Sequence, residues 1–314
     1  MPELPEVQTT VNGLNTYAKG LTITDVWTDY ASIKYAGKDQ IKNSVYFKRF
    51  KKEVTGAKII KAERRAKNIL IELSTGKTIL IHMKMTGHIL YGKYSQLKTS
   101  NLKLKTRKGN WVATEPGALR DDPFNRFIHF VLSLSNGNHL ALSDMRKFAK
   151  VSLLPTDSLF ESSDLAGIGP EPLNDVFTEK ILIERLAIKP NGQIKTVLMN
   201  QCVLAGIGNI YSDEILWASS VHPLSVVSNL KPAQVKLMWK QIKIILVKGI
   251  NFGGDSMSDY RNLDGKPGEF QMNHEAYRRT GKLCGRKGCS GTIHRLKIGG
   301  RSAHFCSRHQ ILIK

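Results

Sequence analysis

The sequence predicts an α+β, multidomain chain, and three observations carry that reading. The first 150 residues are rich in short β-type runs joined by tight turns. Residues from 176 onward shift to helical periodicity. The C-terminal 42 residues combine a strong basic excess with three of the four cysteines. Boundaries follow at 1–153 for the β-rich domain, 154–175 for a linker, 176–272 for a helical domain and 273–314 for a metal-stapled hairpin. At 314 residues the chain is long enough for two domains that each bury a core.

In chain order, "MPELPEVQTT" places Pro2 where it either starts a first helix, since its missing N–H costs nothing there, or serves as a reactive amine once Met1 is removed. "NILIEL" and "TILIHM" flank the turn "STGK", and "FIHFVLSL" and "HLALSD" flank "SNGN". Hairpins of this kind point to a sandwich or barrel-like domain. Residues 93–122 are polar, basic and weakly patterned, which reads as a long loop or insertion. "LPTDSLFESSDLAGIGPEPLND" has linker composition. "TEKILIERLAI" and "IKTVLMNQC" read as helices, with Cys202 as a core residue. In "KPAQVKLMWKQIKIILVKGI", Val235, Met238, Trp239, Ile242 and Ile245 recur at helical spacing behind Pro232, a core-facing stripe.

Charge narrows the function. Lys and Arg total 47 against 26 acidic residues, a formal net of +21. Residues 273–314 carry ten of those bases and one acid, Glu275. A polyanionic partner is implied, and without an amphipathic helix in the tail that partner is nucleic acid rather than a membrane surface. No run has the length of a membrane span and no signal peptide is visible, so a cytoplasmic, nucleoid-associated monomer is expected.

Cys284-x4-Cys289, sixteen residues, then Cys306-x2-His309 is a tetrahedral zinc pattern, each pair converging from one knuckle. His294 or His304 could replace His309, but only His309 repeats the paired spacing. The intervening "SGTIHRLKIGGRSAHF" fits two short strands turning at Gly299-Gly300, a unit too small to fold without its metal. Upstream, "NQCVLAGIGNIYSDEIL" sets Gly206 and Gly208 before a helix start. That arrangement offers backbone N–H groups to an anion, with Asn209 within reach of a phosphate oxygen.

Taken together, "MPELPEV", "RRAKNILIEL", "HMKMTG", "DMRKFA", "GIGNIYSDEIL", "DGKPGEFQ" and "GRSAHFC" resemble the formamidopyrimidine-DNA glycosylase family (the Fpg/Nei family) in order and spacing, along nearly the whole chain. The resemblance implies an N-terminal β-sandwich with an N-terminal helix, a helix–two-turn–helix domain and a C-terminal zinc-finger β-hairpin. It implies a bifunctional DNA glycosylase and AP lyase that removes oxidised purines from double-stranded DNA. By the same resemblance Pro2 is the nucleophile, Glu3 its acid/base partner and Lys67 a catalytic contact. Glu6 is then a second acid in the lesion pocket, and Met85, Arg146 and Phe148 enter the duplex. His82, Asn209 and Arg301 grip the DNA backbone, and one structural Zn2+ sits on Cys284, Cys289, Cys306 and His309. The alternatives are an endonuclease VIII-like preference for oxidised pyrimidines, or a non-catalytic damaged-DNA binder. The "LPEV" start and the Arg–Phe pair of "DMRKF" favour the first branch.

The chemistry suits these residue types. An α-amine titrates near 8, so about a tenth is free base at neutral pH, against well under about 0.1% of a lysine. Attack by a secondary amine at C1′ leaves, after ring opening, an iminium whose positive charge acidifies C2′ and drives β- and then δ-elimination. Glu3 can move protons to the sugar and the leaving groups. Three features depart from the family pattern. The first knuckle is longer, His309 stands in place of a cysteine, and "DMRKFA" replaces "DPRRFG", which should loosen that turn. A lesion-specificity loop is expected within 216–230 or 249–270.

Overall fold

The computed structural model of the chain describes residues 1–30, 32–96 and 111–312. These form two compact units. The first gathers Met1–Pro2, Glu6–Ala166 and Gly253–Gly268; the second gathers Glu3–Pro5, Gly167–Phe252 and Glu269–Lys314. The contiguous boundaries expected from composition therefore miss one feature. Residues 253–268 return to the β-rich unit, tied by Tyr91 N–H to the Leu263 carbonyl and by Arg261 to Asp122.

The first unit is a β-sandwich. After α1 (Leu4–Tyr17) come β1 (Ile23–Thr28), α2 (Ser44–Val54), β2 (Ile59–Arg65), β3 (Asn68–Leu73), β4 (Lys77–His82) and β5 (Gly87–Gly92). These are followed by β6 (Tyr94–Gln96), β7 (Trp111–Ala113), the short α3 (Ala118–Asp121), β8 (Ile128–Leu134), β9 (His139–Asp144) and β10 (Lys150–Pro155). One antiparallel sheet runs β1-β8-β9-β5, the other β10-β4-β3-β2. Their inner faces share one core, in which Val26, Phe130, Leu132 and Leu142 meet Ile69, Ile71, Ile79 and Ile81; Val7, Val11 and Leu14 of α1 join them. Each such side chain contributes roughly 1.5–3 kcal/mol by leaving water. Within the expected insertion, β6 and β7 pair antiparallel. Residues 97–110 of the 93–122 segment lie outside the described residues.

Besides the β1-to-β2 connection through α2, two short connections cross from one sheet to the other, β4 to β5 through residues 83–86 and β9 to β10 through 145–149. Registers Asn68↔His82, Lys150↔His82 and Gly87↔Asp144 bring both to one end of the sandwich, where the β2–β3 turn also lies. Lys67, His82, Met85, Arg146 and Phe148 are thereby collected from distant parts of the sequence.

The second unit contains α4 (Glu179–Leu186), α5 (Ile194–Leu198), α6 (Asn209–Ala218), α7 (Pro232–Asn251) and the hairpin β11 (Ile293–Ile298) with β12 (Arg301–Cys306). Along α7 the expected stripe buries Val235, Met238 and Ile242, and Leu246 continues it; Trp239 and Ile245 pack at its margin. Cys202 is not a core residue. The chain leaves the helix after Leu198, and Cys202 sits exposed in the turn that follows. No helix among the described residues is long and apolar enough to cross a membrane.

Candidate functional site

The glycine turn of the second unit receives the N-terminal segment. Glu3, buried despite its charge, points its carboxylate at the first turn of α6. Gly208 N–H donates to Oε2 at 2.7 Å, Ile210 N–H to Oε1 at 2.9 Å, and Tyr211 N–H to Oε2 at 3.4 Å. Oriented N–H groups and the positive end of the helix dipole satisfy the buried anion. Both glycines are required by this fit. Gly206 has φ +82° and a Cβ there would lie 2.7 Å from Leu4, while a Cβ on Gly208 would collide with the Glu3 carboxyl. The sequence reading is corrected on this point. The N–H groups of Gly208, Ile210 and Tyr211 serve the chain's own glutamate, and that of Gly206 donates to Gln201 Oε1 at 2.8 Å. Asn209 Oδ1 is buried with no hydrogen-bond partner, and the Asn209 carbonyl accepts from Lys195 Nζ at 2.9 Å.

Pro2 is buried in the first unit, with Met1 acylating its nitrogen. In that unit Glu6 is also buried. Its Oε1 accepts Asp255 N–H at 2.7 Å, and its carbonyl accepts the Tyr260 hydroxyl at 3.0 Å. The returning segment 253–268 thus closes on Glu6, within the second of the two windows expected for a lesion loop. Asn125 anchors it from the side, donating to the carbonyls of Gly265 (3.0 Å) and Ala118 (2.8 Å), with its Oδ1 3.0 Å from His88 Nε2. Sequence reasoning missed Asn125, Arg261 and Asp255, because nothing in their spacing announces that 253–268 folds back on Glu6, Asp122 and Asn125, far upstream in the chain.

At the gathered end of the sandwich, Lys67 is buried on the two-residue β2–β3 turn, beside Ala66 at φ +53°. His82 accepts Lys84 N–H at Nδ1 (2.9 Å), which leaves its proton on Nε2. Burial first, then the charges of Lys84, Lys67 and Lys150, lower its pKa to about 3. His82 is therefore neutral, with an N–H and no charge to offer.

Phe148 is 48% exposed and Met145 46%. The Arg146 guanidinium lies 4.5 Å over the Phe148 ring, a cation–π contact. The turn carrying them is held by several hydrogen bonds. Lys147, at φ +55°, has its carbonyl held by Lys42 Nζ (2.7 Å) and its own Nζ on Asp29 (2.9 Å), and Ala149 N–H donates to Asp144 Oδ2 (2.8 Å).

In the C-terminal hairpin the ligand atoms of Cys284, Cys289, Cys306 and His309 all lie within 4.8 Å of one another. Tetrahedral zinc with bonds near 2.3 Å to sulfur and 2.0–2.1 Å to nitrogen requires about 3.8 Å between sulfurs and about 3.6 Å from sulfur to nitrogen. The observed Cys289–Cys306 sulfur distance is 3.6 Å, and His309 Nδ1 lies 3.5 Å from Cys284 Sγ and 3.7 Å from Cys289 Sγ. The donor set fits the metal. His309 Nε2 lies 3.0 Å from the Trp217 carbonyl, an outer partner that orients the ring, and Trp217 Nε1 donates to Cys284 Sγ at 3.3 Å.

The two alternative histidines are otherwise engaged. His304 Nδ1 and N–H both meet Asp213 Oδ2, at 2.9 and 3.0 Å, and His294 contacts Thr292 at the surface. Asp213 also takes Lys195 Nζ at 2.7 Å, a fully buried pair joining α5, α6 and β12. Arg301 stands exposed at the start of β12, just past the Gly299-Gly300 turn.

The Formamidopyrimidine-DNA glycosylase N-terminal domain model matches residues 1–151, and the Formamidopyrimidine-DNA glycosylase H2TH domain model matches residues 168–261. The Formamidopyrimidine-DNA glycosylase of Pelotomaculum thermopropionicum is 32% identical over 306 residues, covering 98% of each chain. That of Ruegeria pomeroyi is 33% identical over 310 residues, covering 99% of this chain and 100% of the relative. Among solved structures, the complex of Lactococcus lactis Fpg with DNA containing an abasic site aligns with a TM-score of 0.79 at 30% identity, over 98% of this chain and 99% of that one. A mutant of the same Lactococcus protein, in complex with DNA containing Fapy-dG, aligns with a TM-score of 0.79 at 29% identity.

Proposed function

The chain belongs to the formamidopyrimidine-DNA glycosylase family, and from that premise we propose that it is a bifunctional DNA glycosylase and AP lyase removing oxidised purines, 8-oxoguanine and formamidopyrimidines, from duplex DNA. The single observation that carries the reading is the Glu3 carboxylate, fixed by three backbone N–H groups on the residue next in sequence to a proline whose nitrogen becomes an amine when Met1 is removed.

In this reading Pro2 attacks C1′ as the C1′–N bond to the damaged base breaks, and the base leaves protonated. Ring opening gives an iminium, and loss of a C2′ proton then expels the 3′ phosphate. A second elimination expels the 5′ phosphate. Glu3 carries protons to and from the sugar, and Lys67 supplies positive charge at the phosphate and lesion nucleotide. Glu6 lines the lesion pocket under the 253–268 loop. Met85, Arg146 and Phe148 fill the gap left by the flipped nucleotide, where apolar and planar groups replace lost stacking and Arg146 bonds the orphaned base. His82, Asn209 and Arg301 hold backbone phosphates. One zinc ion, on Cys284, Cys289, Cys306 and His309, would fix the hairpin that carries Arg301; its role is structural, because the iminium itself serves as the electron sink. Domain limits near 153, 175 and 272 belong to the same proposal, with 253–268 as an excursion.

Single-turnover cleavage of duplexes carrying 8-oxoguanine opposite cytosine, compared with thymine glycol, tests the substrate class. Faster excision of 8-oxoguanine with phosphate at both new ends is expected. A preference for thymine glycol would transfer the chain to the pyrimidine-specific branch.

A further inference from the structure

The two inter-sheet turns are knotted together by groups that none of the motif roles includes. Thr86 follows Met85 directly. Its hydroxyl donates to Asp144 Oδ1 at 2.5 Å and accepts the Arg146 N–H at 3.1 Å. Asp144 is fully buried, and its other oxygen accepts the Tyr30 hydroxyl (2.9 Å) and the Ala149 N–H (2.8 Å). Ala149 follows Phe148 directly. Each side chain assigned to the duplex is thus on, or next to, a residue whose backbone or hydroxyl is held by this knot. The side chains of Arg146 and Phe148 stay exposed, stacked on each other.

We propose that Thr86 and Asp144 are positioning residues that lock the two turns into one preformed wedge, so that Met85, Arg146 and Phe148 enter the duplex together. The proposal rests on the glycosylase reading of those three side chains. Opening a stacked duplex costs a few kcal/mol. Side chains on two independently mobile turns would lose conformational freedom at the same moment. A wedge already ordered by buried hydrogen bonds has lost that freedom on folding, so its contacts offset unstacking in full. A buried carboxylate suits this purpose, because it accepts several hydrogen bonds at once and each is strengthened by its charge. Thr86 suits it because one hydroxyl donates across to β9 and accepts from the turn beyond.

Thr86→Val keeps the side-chain volume and removes both hydrogen bonds; Thr86→Ser keeps the hydroxyl. Each full-length, Met1-processed protein is assayed on two substrates. One is a duplex with 8-oxoguanine opposite cytosine. The other is a single-stranded oligonucleotide with an abasic site, which has no stack to open and no partner base to replace. Thr86→Val is expected to slow duplex excision roughly tenfold or more while leaving borohydride trapping on the single strand within about twofold of wild type. Thr86→Ser is expected to restore duplex excision to within about threefold. Equal loss on both substrates, unchanged duplex excision in Thr86→Val, or failure of Thr86→Ser to restore it would each overturn the proposal. A wild-type protein that traps neither substrate defeats the glycosylase reading itself, and the positioning claim with it.

Discussion

The Glu3 carboxylate lies 2.7 Å from the Gly208 backbone nitrogen, with no room for a side chain on Gly208. Gly208→Ala should therefore displace Glu3 without removing any functional group. The expected result is a loss of about 100-fold or more in single-turnover excision, the scale of removing a general acid/base. Zinc content serves as the control and should hold. Activity within a few-fold of wild type would mean that Glu3 needs no such placement.

The state of the N-terminus sets the next expectation. With Met1 in place the Pro2 nitrogen is an amide with no usable lone pair. Protein purified with a retained methionine or an N-terminal tag should bind abasic-site DNA yet give no covalent adduct. Pro2→Gly should likewise lose most of its trapping while keeping binding. Wild-type turnover by the Met1-retaining or tagged form would refute the amine assignment.

Metal analysis checks the hairpin. One zinc per chain is expected, falling to near zero in Cys306→Ser, with weaker duplex binding because the strand bearing Arg301 loses its staple. His309→Ala should bind zinc more weakly rather than not at all, since three thiolates remain. Metal content near zero in a folded wild-type protein would overturn this site.

Acid stability offers a prediction independent of function. Burial, chiefly, lowers the pKa of His88 to about 4, below the ordinary value of 6.5. In that window the unfolded chain binds a proton that the folded one refuses. The stability held above pH 6.5 is therefore lost as pH falls toward 4, by an amount on the order of 3 kcal/mol. His88→Gln, able to keep the bond to Asn125, should show a shallower fall in thermal midpoint between pH 6.5 and 4. An unchanged slope would show that His88 does not titrate on unfolding as described.

Much of this was legible in sequence, for physical reasons that differ from site to site. Hairpins flanking "STGK" and "SNGN" are local, and so is the zinc knuckle spacing; each forms as its residues suggest. The Gly206–Gly208 turn announced an anion but not which one. A side chain arriving from position 3 competes with a phosphate for the same N–H groups, and only the fold shows that Glu3 occupies them. Cys202 was misread because an apolar stretch looks helical until Leu198, where the chain turns and leaves it exposed. The partners of the turn after Asp144 are not legible in its own residues. Its residues are held by hydrogen bonds to Lys42, Asp29 and Thr86, and no local pattern announces partners that far away. The return of 253–268 to the sandwich is hidden for the same reason.

The most direct test is borohydride trapping of the Met1-processed protein on a duplex with 8-oxoguanine opposite cytosine, followed by peptide mass mapping of the adduct. The expected result is a covalent protein–DNA product whose modified residue is the N-terminal Pro2. An adduct on a lysine such as Lys67, or excision of the base with no adduct at all, would contradict it.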